Sequence, residues 1–184
     1  MEIGGLSLGI IGFGKIGAAI AARAKAFVKE IFVLDALLKQ KPDYIKNIYT
    51  FNELPELLKK CNAVICSCPL TPTTRHLISD REFSSMPDKS YIINISRGGI
   101  VDEDALIRAL RNKKLAGAGL DVLEQEPCPP DSPLWNAPNL LLTPHSAGYC
   151  DHLEKRKITE FVKNFKYYIN GELAQHGLDK NKGW

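Results

Sequence analysis

The stretch LGIIGFGKIG, residues 8–17, decides the fold that the sequence predicts. A short apolar run leads into a G-x-G-x-x-G turn, and an alanine-rich segment with helical periodicity follows at once. Gly12 allows a sharp turn, Gly14 lets the backbone approach a pyrophosphate, and Gly17 lets the helix lie close to the strand. The start of that helix offers free N–H groups and the positive end of its dipole to phosphate oxygens. This order of strand, glycines and helix predicts a dinucleotide-binding site.

A second predicted strand ends in an acidic residue that bears on the type of dinucleotide. Residues 31–35 (IFVLD) form an apolar run that ends at Asp35, eighteen residues after Gly17. A carboxylate in this place can accept hydrogen bonds from both hydroxyls of an adenosine ribose, and it repels a 2′-phosphate. Asp35 therefore favours NAD over NADP, while Lys39 and Lys41 follow closely and leave a minor tolerance for NADP open.

Apolar runs continue along the chain and alternate with segments that suit helices. The runs that predict strands lie at residues 8–11, 31–35, 63–66, 90–95, 115–122 and 140–143. Because these runs lack polar alternation, they indicate a parallel sheet that helices cover on both faces. The sequence therefore predicts an α/β fold, a doubly wound parallel sheet of six or seven strands. Ligands of such sheets bind beyond the carboxyl ends of the strands.

Cap residues and periodicity predict where the helices lie. Residues 50–53 (TFNE) and 79–82 (SDRE) offer cap residues for two short helices, and the acids at 102–104 suit the first turn of a third. A long amphipathic helix is predicted over residues 151–171. In the helix after the glycine turn, one face carries four apolar residues, Ile16, Ile20, Ala24 and Phe27.

The composition excludes several classes of protein. The chain has 184 residues, of which 45% are hydrophobic and 24% charged, as in an ordinary globular protein of one domain with or without an appendage. The net charge of +3 does not indicate nucleic-acid binding, and no apolar run is long enough to span a membrane. The N-terminus lacks the pattern of a signal peptide, so the expected location is cytoplasmic. The five cysteines are irregularly spaced and indicate free thiols, and Cys66 and Cys68 lack a matching second pair of metal ligands.

Three polar residues that follow predicted strands, or lie in the loop after one, form an interpretable set. Arg97 offers a bidentate fork for a carboxylate, and His145 can move a proton near neutral pH. Glu126 is the natural carboxylate partner that would stabilise a charged histidine. Beside a nicotinamide, such a set would serve the oxidation of a hydroxyl next to a carboxylate. Each residue alone also has a simpler explanation, as a surface ion-pair partner, a solvated carboxylate or a partly buried imidazole.

Five motifs occur in an order that resembles a known family. They are residues 12–17 (GFGKIG), 68–71 (CPLT), 94–99 (NISRGG), 119–122 (GLDV) running to Glu126–Pro127, and 143–145 (TPH). The chain is similar to the nucleotide-binding domain of the D-isomer-specific 2-hydroxyacid dehydrogenases, which include D-lactate dehydrogenases, glyoxylate and hydroxypyruvate reductases, and 3-phosphoglycerate dehydrogenases. The resemblance implies a Rossmann fold and an NAD-dependent oxidoreductase that transfers hydride between NAD(H) and a small 2-hydroxy or 2-keto acid.

The resemblance also implies roles for individual positions. Arg97, Glu126 and His145 match the catalytic arginine, glutamate and histidine of the family. Lys15 and Ile16 match the backbone that meets the pyrophosphate. The positions that match cofactor contacts are Gly12, Gly14, Lys15, Ile16, Gly17, Asp35, Cys68, Pro69, Thr74, Ile95, Ser96, Arg97, Asp121, His145 and Gly148.

The domain organisation and the partners are further implications of the resemblance. Residues 1–171 would form the NAD-binding domain, and residues 172–184 a tail that returns to a substrate domain. Only residues 1–7 precede the first strand, so the expectation is that the substrate domain is missing and that the chain alone lacks turnover. Family members dimerise through this domain, which implies a homodimer. Two alternatives stay open, an NAD(H)-binding regulatory module of the corepressor type and a non-catalytic dimerising remnant.

Overall fold

The structure is a computed structural model that describes residues 2–37 and 40–172. The strands are β1 (Ser7–Ile11), β2 (Glu30–Leu34), β3 (Asn47–Tyr49), β4 (Ala63–Cys66), β5 (Ser90–Asn94), β6 (Leu115–Leu120) and β7 (Leu140–Leu142). The α-helices are α1 (Lys15–Ala24), α2 (Leu54–Leu58), α3 (Asp80–Ser85), α4 (Glu103–Arg111) and α5 (Leu153–Ile169). Short 3-10 helices lie at Ile3–Gly5, Phe51–Glu53 and Pro133–Asn136. The chain divides into two compact units, one that ends at His145 and one that begins at Ser146.

The first unit contains a seven-stranded sheet in which every neighbouring pair of strands is parallel. The strand order is β3-β2-β1-β4-β5-β6-β7, so the chain reverses its direction of winding between β1 and β4. The predicted doubly wound sheet is confirmed. The sequence did not predict β3, a three-residue strand at the edge of the described sheet that pairs with β2.

The core lies on both faces of the sheet, as the absence of polar alternation predicts. Ile10 and Ile11 are fully buried, and they belong to two separate apolar clusters. The cluster around Ile11 contains buried residues of α2 and α4, whereas the cluster around Ile10 contains Ala21 of α1. A strand that buries consecutive side chains in this way has helices packed on both of its sides.

Helix α1 packs with only part of the apolar face noted in the sequence, because Ile20 and Ala24 pack against the cluster around Ile10 and the other two residues do not. Ile16 is 58% exposed, and Phe27 is 65% exposed and lies beyond the end of the helix. The buried residues of α1 are Gly17 and Ala21. A Cβ built on Gly17 would collide with the carbonyl oxygen of Gly12. The helix therefore lies so close to the glycine turn that only small residues fit between them.

The predicted helix caps are present. Capping boxes join Thr50 to Glu53 and Ser79 to Glu82, and the Asp102 side chain accepts a hydrogen bond from the backbone N–H of Ala105 at the start of α4. Such caps satisfy N–H groups that the helix itself leaves without a partner.

The second unit contains α5, where the long amphipathic helix was predicted. Several of its apolar side chains are exposed, and the rings of Phe161 and Phe165 stack with centroids 6.1 Å apart. Of the predicted tail at 172–184, all but Glu172 lies outside the described residues, and the proposed domain boundary at 171 stays a prediction. No helix in the described part of the chain is both long enough and apolar enough to cross a membrane.

Candidate active site

The glycine turn has the backbone that the motif predicts. Gly12 has a φ of 91°, a conformation that favours glycine, and a Cβ built there would lie 2.7 Å from the backbone nitrogen of Cys68. The Ser67 hydroxyl donates a hydrogen bond of 2.7 Å to the Gly12 carbonyl oxygen. A Cβ built on Gly14, by contrast, meets no atom of the described residues within 4 Å. The turn is therefore fixed on its protein side and open on the side where a pyrophosphate would bind.

The first turn of α1 continues this open surface. Gly14 is the N-cap residue, with an extended backbone, and no side chain caps the helix. Lys15 and Ile16 follow as the first two residues of the helix, and both are exposed. A helix start that lacks a side-chain cap has N–H groups available for an anion. The location of these residues agrees with their predicted role beside a pyrophosphate.

Asp35 lies directly after β2 and contacts the glycine turn. Its Oδ2 accepts a hydrogen bond of 2.7 Å from the backbone N–H of Phe13, and its Oδ1 accepts one of 2.7 Å from the N–H of Leu37. The carboxylate predicted to bind a ribose is thus oriented beside the turn predicted to bind the phosphates. Of the two lysines that follow, Lys39 lies outside the described residues, and the Lys41 ammonium donates to the carbonyl oxygen of Ile45.

The segment after β4 includes three of the predicted cofactor residues. Cys68 is buried, and this burial raises the pKa of its thiol to about 11. Thr74 is 3% exposed, and its hydroxyl donates to the Pro69 carbonyl oxygen and accepts from the backbone N–H of Thr71. The buried Thr74 side chain therefore stabilises the turn between Pro69 and Thr74 through these two hydrogen bonds. Contacts of these residues with a cofactor stay a prediction.

The loop after β5 carries Arg97 and is supported by a buried amide that was not predicted as a site residue. The Asn94 Oδ1 accepts hydrogen bonds from the N–H and the hydroxyl of Ser96, and its Nδ2 donates to the Arg97 carbonyl oxygen. Asn94 is 1% exposed. Its position as a polar residue at the end of an apolar strand was the signal in the sequence. Ile95 lies between the strand and this loop and is half-buried.

Glu126 and His145 form the pair that was predicted from the sequence. Oε2 of Glu126 and Nδ1 of His145 are 2.8 Å apart, and the other carboxylate oxygen accepts from the backbone N–H of Leu123, also at 2.8 Å. These two contacts lower the pKa of Glu126, which keeps its carboxylate ionised. Arg97 is exposed and is not hydrogen-bonded to this pair in the described structure; its guanidinium donates to the Ser96 carbonyl oxygen.

Asp121, the residue after β6, contacts both Thr143 and His145. It is 5% exposed, and its Oδ1 accepts a hydrogen bond of 2.5 Å from the Thr143 hydroxyl. The Asp121 carbonyl oxygen accepts from the backbone N–H of His145 at 2.8 Å. A cavity of about 690 Å³ opens beside these residues, with Glu126 and Trp135 among those that line it. Thr143 was quoted in a motif but not predicted as a site residue.

Gly148 and the cysteines are the other residues that the sequence singled out. Gly148 belongs to the second unit and is exposed, so its contact with a cofactor stays a prediction. All five cysteines are free thiols. The described residues contain no group of three or more His, Cys, Asp or Glu side chains that could hold a metal ion.

The fold and the site together define a dinucleotide-binding α/β domain with an ordered histidine–glutamate pair at the carboxyl edge of its sheet. The model of the D-isomer specific 2-hydroxyacid dehydrogenase NAD binding domain matches residues 1–147. The chain belongs to this family and represents its NAD-binding domain.

Relatives with assigned names agree with this placement. The chain is 38% identical to a glyoxylate reductase of Korarchaeum cryptofilum, with 94% of the chain and 52% of the relative aligned. It is 35% identical to a D-3-phosphoglycerate dehydrogenase of Methanocaldococcus jannaschii, over 96% of the chain and 33% of the relative. A crystal structure of an NADPH-dependent glyoxylate/hydroxypyruvate reductase from Sinorhizobium meliloti, in complex with NADP and sulfate, superposes with a TM-score of 0.90 at 26% identity, over 100% of the chain and 58% of that structure. The chain thus spans about half the length of the reductases and a third of the phosphoglycerate dehydrogenase.

Proposed function

We propose that the chain is the cofactor-binding half of an NAD(H)-dependent oxidoreductase that interconverts 2-hydroxy and 2-keto acids. The observation that carries this proposal is the 2.8 Å contact between Glu126 and His145. The pair lies at the carboxyl end of the strands, where the glycine turn also lies, and this is the edge at which such sheets bind their ligands. Family membership and the named reductases and dehydrogenase support the same reaction class.

The contacts of the pair support a role for each member. Because Nδ1 of His145 faces Glu126, Nε2 is the nitrogen that would exchange a proton with the substrate oxygen. The Glu126 carboxylate fixes the orientation of the ring and complements the positive charge that the ring carries when protonated. Arg97 would bind the substrate carboxylate through its guanidinium fork. When bound, NADH supplies the hydride that converts the keto carbon to an alcohol.

The residues present fit a dinucleotide. The open space above Gly14 leaves room for a pyrophosphate, and the uncapped start of α1 offers N–H donors. Asp35 supports a preference for NADH over NADPH, since its carboxylate would repel a 2′-phosphate. Because the reductase from Sinorhizobium meliloti was crystallised in complex with NADP, the preference of this chain should be measured with both NADH and NADPH.

Two measurements test the proposal. The chain should bind NADH in a fluorescence titration, and His145→Ala should leave that affinity unchanged. A protein that joins this chain to the substrate domain of such a reductase should reduce glyoxylate or hydroxypyruvate with NADH, and His145→Ala should abolish this activity. His152→Ala, which removes another exposed histidine, is the control for both. A folded chain that does not bind millimolar NADH would refute the proposal, and binding without any turnover by the joined protein would favour a regulatory module.

Three further expectations belong to the same proposal. The chain alone should show little turnover, because it covers about half of the reductases that it resembles. It should form a homodimer, which exposed apolar side chains such as Trp135 and Leu141 support. Light scattering coupled to size exclusion would test the dimer, since a monomer at tens of micromolar would contradict it. The cytoplasmic location stays a prediction that cell fractionation can test.

A further inference from the structure

The peptide bond between Leu123 and Glu124 is held on two opposite sides. Its N–H, on Glu124, donates a hydrogen bond of 2.7 Å to Oε1 of Glu103. Its carbonyl group lies against Gly98, where an added Cβ would collide with both the carbonyl oxygen and the carbonyl carbon of Leu123. This peptide therefore has little freedom to rotate or shift. One of its two supports comes from α4 and the other from the loop that carries Arg97.

The Leu123–Glu124 peptide directly follows the N–H of Leu123, and this N–H orients the Glu126 carboxylate. The N–H of Leu123 donates to Oε1 of Glu126, while Oε2 faces His145. Rotation of the Leu123–Glu124 peptide would change ψ of Leu123 and φ of Glu124, two torsions that lie between the Leu123 N–H and the Glu126 side chain. Such a rotation would shift the Glu126 carboxylate relative to its donor, so the support that Glu103 gives to this peptide is transmitted to the contact between Leu123 and Glu126.

Glu103 is well suited to hold a fixed position. It is the first residue of α4, whose N-cap is Asp102, and a carboxylate at a helix start is stabilised by the helix dipole. Burial raises the pKa of Glu103, and the nearby Glu124, Asp104 and Asp102 carboxylates raise it further, while the Glu124 N–H opposes this. Half-burying a carboxylate among acids has a cost, and the Glu124 N–H is the donor that offsets it.

We infer that Glu103 is a positioning residue for the Glu126–His145 pair, acting through the Leu123–Glu124 peptide. Its carboxylate fixes that peptide against Gly98, and the fixed peptide keeps Glu126 placed to accept from the Leu123 N–H. The catalytic meaning of this inference rests on the proposed function, whereas the geometry can be tested without cofactor or substrate.

The test is NMR spectroscopy of the labelled 184-residue chain, with substitutions at Glu103. Glu103→Ala removes the acceptor, and Glu103→Asp withdraws it by one methylene while keeping the charge. In both variants the Leu123 amide should exchange with solvent about tenfold faster, as expected for a weakened hydrogen bond. The pKa of Glu126, followed through its carboxyl carbon, should rise toward its ordinary value. Glu103→Gln, which keeps an oxygen acceptor, should behave like the wild-type chain.

Two internal controls separate positioning from a general loss of stability. The Val64 amide in central β4 reports global opening, and the pKa of Glu53, which is lowered by its contacts with Thr50, reports a distant carboxylate. Both should be unchanged. The inference is overturned if Glu103→Ala and Glu103→Asp speed the exchange of Glu124 but leave the Leu123 amide and the Glu126 pKa as they were. That outcome would leave the proposed function intact, because NADH binding and turnover are measured separately.

Discussion

The backbone N–H of Phe13 donates a hydrogen bond of 2.7 Å to Oδ2 of Asp35, which joins the glycine turn to the end of the neighbouring strand. The residue proposed to bind the ribose therefore also supports the turn proposed to bind the phosphates. Substitution of Asp35 should affect both parts of the dinucleotide site. We therefore expect a substitution at this position to lower the affinity for the dinucleotide by more than the loss of ribose contacts alone would.

Asp35→Ala should weaken NADH binding by about tenfold or more, because hydrogen bonds to a charged group contribute about 1.5–3 kcal/mol. Asp35→Asn keeps an acceptor for Phe13 but removes the charge, so it should lose less affinity for NADH and narrow the preference over NADPH. Fluorescence titration with each nucleotide measures both effects. Asp88→Ala, which removes an exposed carboxylate paired with Lys114, should change neither. Unchanged NADH affinity in Asp35→Ala would argue against a ribose contact.

Two glycines of the same motif should respond differently to alanine. A Cβ on Gly14 meets no protein atom within 4 Å, so Gly14→Ala should unfold at the wild-type temperature and yet bind NADH weakly. A Cβ on Gly17 would collide with the Gly12 carbonyl oxygen, so Gly17→Ala should lose about 1–3 kcal/mol of folding free energy. Thermal unfolding and NADH titration of both variants provide the comparison. Equal destabilisation by the two substitutions would contradict the assigned geometry.

The Glu126 carboxylate should contribute to stability in a pH-dependent way. Its pKa is lowered in the folded chain by His145 and the Leu123 N–H, so its contribution is complete above the unfolded pKa of about 4.3 and is lost as the pH falls through the lowered value. Glu126→Gln should therefore unfold at a lower temperature than the wild-type chain at pH 6, and the difference should shrink below about pH 4. Glu160→Gln, on an exposed position of α5, should show no such trend. A difference that grows in acid would show that the sign is wrong.

The hydroxyl of Thr143 should be needed for the stability of the segment before His145. Thr143→Val has nearly the same shape but removes a donor from the buried Asp121 carboxylate, which should cost about 1–3 kcal/mol. For a chain of this length the unfolding temperature should fall by about 2–4 °C per kcal/mol. Thr159→Val, on the exposed side of α5, is the matched substitution and should have a smaller effect. Calorimetry that shows equal shifts would mean that Asp121 does not depend on Thr143.

Much of the fold could be predicted from local pattern. The apolar runs indicated six of the strands, and cap residues such as Thr50 and Ser79 marked helix starts, because both signals lie within a few residues of sequence. β3 could not be predicted in this way, since three residues at a sheet edge depend on pairing with β2. The buried face of α1 was only partly evident from hydrophobicity, because Ile20 and Ala24 pack against the core but the buried residues are Gly17 and Ala21. Close approach at Gly17 selects small residues there, and it leaves Ile16 exposed.

One contact of the candidate site was predictable from residue types. Glu126 contacts His145, as the pairing of a carboxylate with a histidine suggested, whereas the contact of Asp35 with the glycine turn was not predicted. The supporting contacts were not predictable. Thr143 and Asp121 are 22 positions apart, and Glu103 and Glu124 are 21 apart, so their contacts follow from the paths of loops rather than from any spacing. Such contacts can be identified only once the path of each loop in the structure is known.

Because β7 lies at the edge of the sheet, the segment that carries His145 should open locally more easily than the glycine turn does. Among the described strands, β7 has three residues and pairs with β6 alone, whereas β1, which leads into the glycine turn, is paired along both sides. Short edge strands open at a lower free energy than central ones, so hydrogen exchange should be faster at Leu141 than at Ile10. In molecules where β7 has opened, we expect the glycine turn to keep its structure while His145 loses its placement. On the proposed function, that state would still bind the nucleotide, but its proton-transfer residue would be displaced.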